Sequence, residues 1–101
     1  MQKLLLTAMT ALLLTVGSAW AGPLEDGAAA DSRGNYSDAV RWYRQAADQG
    51  DPKAQNSLGA MYYNGRGVTQ SYDEAVKWYR LAAAQGLADA QIRLGLMYEQ
   101  G

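Results

Sequence analysis

The chain has 101 residues, 49% of them hydrophobic, with 9 basic and 10 acidic side chains and a formal net charge of −1. It contains no histidine and no cysteine, which excludes disulfide staples, thiolate nucleophiles, zinc-finger spacings and imidazole acid–base catalysis. The near-neutral balance provides no basic footprint for nucleic acid, and the length admits one domain.

Residues 1–21 read as a secretory signal peptide. Lys3 supplies a positive n-region, residues 4–16 form a charge-free and proline-free h-region, and Ala19 and Ala21 place small residues at −3 and −1 of a cut after Ala21. That h-region is too short to span a bilayer, so no stable membrane anchor is expected after cleavage. No cysteine follows it, which excludes a lipoprotein anchor. The expected location is periplasmic or secreted. Without Lys3 the remaining residues 22–101 carry 8 basic and 10 acidic side chains. They must fold by packing alone, although small exported domains commonly use cysteine staples.

Residues 24–32 read as a shortened helix, ended by the tight turn Arg33-Gly34-Asn35. The next helix is predicted over 36–49, where Ala39, Val40, Tyr43, Ala46 and Ala47 follow helical spacing and Trp42 widens the stripe. Gly50 stands where a left-handed cap belongs, and Pro52 suits a helix start. Residues 52–64 then place Ala54, Leu58, Met61 and Tyr62 on one face. Gly59 sits inside this helix at a cost of about 1 kcal/mol relative to Ala, which implies a close helix–helix approach there. Residues 65–71 form a loop whose glycines permit positive φ, with Val68 as an inward anchor. Asp73 and Glu74 open the next helix, where carboxylates complement the dipole. The final helix is predicted over 89–100, with no second helix after it.

A self-repeat organises these elements. Tyr36, Ala39, Val40, Trp42, Tyr43, Arg44, Ala46, Ala47, Gln49 and Gly50 recur 36 positions later as Tyr72, Ala75, Val76, Trp78, Tyr79, Arg80, Ala82, Ala83, Gln85 and Gly86. Ala54, Gln55, Leu58, Gly59, Met61, Tyr62 and Gly65 recur as Ala90, Gln91, Leu94, Gly95, Met97, Tyr98 and Gly101 in the same register. A period of this length means stacked supersecondary units, here about 30–65 and 66–101.

The string A-Q-x-x-L-G-x-M-Y-x-x-G at residues 54–65, followed by Gly67-Val68 and by A-V-K-W-Y-R-x-A-A-x-Q-G at 75–86, resembles the Sel-one-like repeat, a relative of the tetratricopeptide repeat. The likeness spans essentially all of residues 22–101. It implies an all-α fold, a short α-solenoid of antiparallel helix pairs, and a role in holding other proteins together, often in bacterial envelopes. The chain departs from the pattern in its short opening turn and in stopping before the last unit's loop and second helix. The cysteine pairs of one exported branch of the family are absent, so enzyme-like and penicillin-binding properties reported for that branch are not transferred.

Other features have structural explanations. Gly65-Arg66-Gly67 lacks the Lys-Ser/Thr ending and preceding strand of a phosphate loop. Trp42-Tyr43 and Trp78-Tyr79, beside alanines at recurring positions, read as core. Glu25-Asp26 and Asp73-Glu74 sit at helix starts, where capping accounts for them better than glycoside hydrolysis does. No catalytic, cofactor or metal site is therefore expected.

In stacked pairs of this kind the first-type helices line the concave face. Lys53, Asn56, Ala60 and Tyr63 form its stripe on the complete unit, and Asp89, Ile92, Leu96 and Glu99 are the positions on the last helix. Apolar anchors among polar neighbours suit a protein or peptide segment. The expected function is a non-catalytic protein–protein interaction module. The alternatives are a binder of peptidoglycan fragments or another small envelope ligand, and a truncated or self-associating piece of a longer scaffold, with a homodimer through the open last helix. Leu94, Met97 and Tyr98 face inward by repeat analogy, but the side normally covered by a second helix is open.

Overall fold

The computed structural model describes residues 22–100; the proposed signal peptide and Gly101 lie outside the described residues. Five helices follow one another: α1 (Gly22–Ser32), α2 (Tyr36–Asp48), α3 (Pro52–Asn64), α4 (Tyr72–Ala84) and α5 (Ala88–Gln100). No strand occurs among the described residues. The expected all-α solenoid is what forms, with α1, α3 and α5 as first-type helices and α2 and α4 as second-type helices.

The helix boundaries have local chemical causes. Asp51 precedes Pro52, and its carboxylate accepts from the backbone N–H groups of Lys53 at 2.9 Å and Ala54 at 3.3 Å. Pro52 itself loses nothing, because a first-turn N–H has no intrahelical partner. Ser71 caps α4 in the same way, accepting from the Glu74 N–H at 3.2 Å. At the other ends, Gly50 at φ +95° and Gly65 at φ +68° supply the left-handed residues that stop α2 and α3.

Alanine sets the spacing of the core. Ala39, Ala54, Ala75, Ala82 and Ala90 are fully buried, so backbones approach closely and the larger side chains fill the seams between helices. One cluster joins these small residues of α2 and α3 to Val40, Tyr43, Leu58, Met61 and Trp78, with Val68 packed against it from the loop as expected. A second, smaller cluster gathers Ala75, Tyr79, Ala82 and Ala90, backed by half-buried Leu94 and Met97.

Glycine marks each tight helix pair. A Cβ on Gly59 would stand 2.8 Å from the Tyr79 ring, and one on Gly27 would stand 2.6 Å from the Tyr43 ring. The predicted close approach at Gly59 is therefore real. The repeat of that glycine at 95 does not bring the same contact, because no described helix lies over α5 there.

Two expectations about large side chains need correction. Trp78 is buried at 7% exposure, whereas Trp42 is 36% exposed. Trp78 reaches the cluster formed by α2 and α3, and no described helix precedes α1 to cover Trp42 in that way. Leu94 and Met97 are only half-buried, and Tyr98 is exposed. Their counterparts Leu58 and Met61 are buried beneath α4 and its entry loop.

Candidate interaction face

Two side-chain bonds join α3 to α5 along one side of the molecule. Asn56 Nδ2 donates to the Asp89 carboxylate at 2.8 Å near the helix starts, and Tyr63 O–H donates to Gln100 Oε1 at 3.3 Å near their ends. Start meets start and end meets end, so the two first-type helices run parallel. Asn56 thereby holds the Asp89 carboxyl below the usual carboxylate range, since its amide donates to the ionised form. Arg93 lies one turn along α5, with Nε 3.4 Å from the same carboxylate.

The structure brings the expected stripe together in part. Lys53, Asp89, Ile92, Leu96 and Glu99 are exposed, while Asn56, Ala60 and Tyr63 are half-buried. Ala60 and Tyr63 contribute to packing against the second cluster, so they form the floor of the face and not its outer surface. Ile92 and Leu96 are the prominent part, at 63% and 51% exposure. They do not cover each other. A hollow of about 120 Å³ opens beside Leu96, bounded by Tyr63, Tyr79, Arg93, Met97 and Gln100. The bond to the Asp89 carboxylate orients the Asn56 amide, because only Nδ2 can donate to it, and Oδ1 is left buried without a hydrogen-bond partner.

Several structural contacts repeat with the helices although the stripe did not include them. Gln55 Nε2 donates to the Ala47 carbonyl at 3.2 Å, and Gln91 Nε2 donates to the Ala83 carbonyl at 3.1 Å. Arg44 donates to the Tyr62 hydroxyl, and Arg80 donates to that of Tyr98 at 2.7 Å. These residues all belong to the identical positions of the repeat, so recurrence carried their signal. Gly27 did not show that signal, because it precedes Gly59 by 32 positions and not 36. The turn at 33–35 is four residues shorter than the loop at 65–71, which accounts for the offset.

Among the described residues no group of three or more acidic side chains is placed to hold a metal ion. No described helix is long and apolar enough to cross a membrane.

Antiparallel helix pairs in one 36-residue register, locked by glycine–tyrosine contacts, define an α-solenoid repeat protein. A family model for the Sel1 repeat matches residues 21–51, 52–87 and 88–101, so the chain belongs to the Sel1 repeat family. A Sel1 repeat protein from Oxalobacter formigenes has a similar structure, with a TM-score of 0.68 and 32% sequence identity. That likeness covers 79% of this chain and 36% of the other, so the chain spans about a third of that protein's length. A search of curated proteins finds no significant match. Sel1 repeats generally mediate protein–protein interaction, and the family is typically a non-catalytic scaffold.

Proposed function

We propose that the protein is a non-catalytic interaction module of the bacterial envelope or secreted space that grips a partner segment on the α3–α5 side. The observation that carries this reading is the exposed pair Ile92 and Leu96. Burying each such aliphatic side chain fully is worth roughly 1.5–3 kcal/mol, and the pair lies one turn apart on a single helix. Lys53, Asp89 and Glu99 ring it with both signs of charge, which suits a polar rim around an apolar centre. The signal-peptide pattern of residues 1–21 supports the envelope location.

Affinity capture from an envelope extract, run in parallel with wild type and with Leu96→Asp and Tyr63→Ser, tests the reading. A partner retained by wild type and lost by Leu96→Asp is the expected result. Recovery that ignores both substitutions would place recognition elsewhere.

A further inference from the structure

The two units fill one equivalent place with different chemistry. The rings of Tyr43 and Tyr79 lie against Gly27 and Gly59, and each hydroxyl reaches the seam between two first-type helices. Tyr43 stands between Asp31 of α1 and Ser57 of α3. Tyr79 stands between Tyr63 of α3 and Arg93 of α5. The positions correspond: Asp31 and Tyr63 each follow their glycine by four residues, and Ser57 and Arg93 are 36 apart, as the tyrosines are.

In the first unit the chain itself supplies the acceptor, since the Asp31 carboxylate takes the Tyr43 O–H at 3.2 Å. In the second, the aligned residue is Tyr63, which has no carboxylate and whose hydroxyl donates to Gln100. Tyr79 is only 1% exposed, yet among the described residues its O–H has no acceptor, because Arg93 beside it can only donate. The hollow of about 120 Å³ lies at this place, and Arg93 is the one charged residue that lines it. At about 15 Å³ for each water, it has room for a carboxylate on a short stem. Arg93 turns Nε toward Asp89 at 3.4 Å, which leaves its two Nη groups without a partner among the described residues. Leu96 and Met97 form the apolar wall.

We propose that this hollow is a carboxylate site, entered by an acidic side chain of the segment bound on the α3–α5 side; the partner rests on the interaction-face reading above. The carboxylate takes the Tyr79 O–H, as Asp31 takes that of Tyr43. It also accepts from the Arg93 guanidinium, and such a charge-assisted pair is stronger than a neutral hydrogen bond. Its methylene stem lies on Leu96 and Met97. A side-chain carboxylate is the fitting source, because Asp31 is one and serves the equivalent phenol. Asp89, the acid nearest Arg93, does not line the hollow and is already held by Asn56. The site therefore adds a sign of charge to what the exposed Ile92–Leu96 pair selects by hydrophobicity.

Titration of the isotope-labelled protein with N-acetyl-glutamate amide, whose sole charge is its side-chain carboxylate, tests the proposal. The comparison probes are neutral N-acetyl-glutamine amide and N-acetyl-alanine, whose carboxylate is terminal. Saturable shifts at the Arg93 side-chain N–H and at the Leu96 and Met97 amides are expected with the glutamate probe, and affinity about tenfold or more lower with the glutamine probe. Arg93→Gln should weaken the glutamate probe about tenfold, and Tyr79→Phe should weaken it several-fold. Tyr79→Phe keeps the ring against Gly59, and circular dichroism verifies that both variants are folded. Absence of saturable shifts overturns the proposal, as does equal binding of the glutamate and glutamine probes. So does glutamate binding that Arg93→Gln leaves unchanged. Tighter binding of N-acetyl-alanine would put a chain terminus in the hollow and overturn the choice of an acidic side chain. The titration contains no protein partner, so a silent titration and an empty capture experiment are separate failures.

Discussion

Gly59 and Gly95 occupy the same position of α3 and α5, yet the same substitution should act on them with opposite sign. Replacing a helix-interior glycine by alanine gains about 0.5–1 kcal/mol, mostly by restricting the unfolded chain. That gain is common to both sites. At Gly95 nothing opposes it, because a Cβ there meets no atom within 4 Å. Gly95→Ala should therefore stabilise the protein by up to about 1 kcal/mol, and somewhat less if the end of α5 frays. At Gly59 the new methyl would stand 2.8 Å from two carbons of the Tyr79 ring, itself 1% exposed and walled in by the second cluster. Forcing a methyl into such a site costs about 1–3 kcal/mol.

The net effect of Gly59→Ala is then between neutral and about 2 kcal/mol destabilising, and the two sites differ by about 1–3 kcal/mol. In a domain of this size each kcal/mol moves Tm by about 4–8 °C. Urea and thermal unfolding followed by helical circular dichroism will resolve it. The difference between the two variants is the robust quantity, because helix propensity and unfolded-state entropy cancel in it. Equal effects, within about 0.5 kcal/mol, would show that Tyr79 is free to move off Gly59 and would refute the tight-pair account.

Two further predictions concern buried polar groups. The Tyr43 hydroxyl donates to Asp31 at 3.2 Å, and burial together with that carboxylate pushes its pKa up to about 12. In the unfolded chain it ionises near pH 10, so the stability tied to the neutral phenol is intact below about pH 10 and is lost as pH rises to about 12. Urea unfolding across this range should show that decline, and Tyr43→Phe should make it shallower. An unchanged slope would dismiss the coupling. Gln55 is buried and bridges the Ala47 carbonyl to Gln85, so Gln55→Leu should cost about 1–3 kcal/mol in denaturant melts. Gln91→Leu, where the corresponding side chain is exposed, should cost less than about 1 kcal/mol, and equal losses would count against the bridge.

Much of this architecture was legible in the residue pattern because the repeat states each contact twice. The apolar spacing of α2 and α4, the capping role of Gly50 and the start at Pro52 follow from local rules, and the helix ends fall within a residue or two of expectation. The close approach at Gly59 was readable from the cost of a glycine in mid-helix. What escaped depends on neighbours rather than on spacing. Trp42 and Trp78 are indistinguishable by local sequence, and only the presence of α2 and α3 beside one of them separates their burial. Gly59 and Gly95 divide for the same reason. The floor of the α3–α5 face was also hidden, because periodicity places Ala60 and Tyr63 on the concave stripe but does not show that they pack against the second cluster.

The distribution of burial along the chain connects stability to recognition. Among the described residues α2 and α3 each bury five side chains or glycines, α4 buries four, and α5 buries Ala90 alone. With no cysteine to staple it, α5 is held by one face against α4 and by polar bonds from Asn56, Tyr63 and Arg80. It is the element most ready to open locally, and such low-stability elements are where binding surfaces are commonly drawn from. The same sparse burial among the described residues leaves Ile92 and Leu96 exposed. On the proposed function, a partner that covers Ile92 and Leu96 adds packing to this helix, so part of its binding free energy goes into ordering α5.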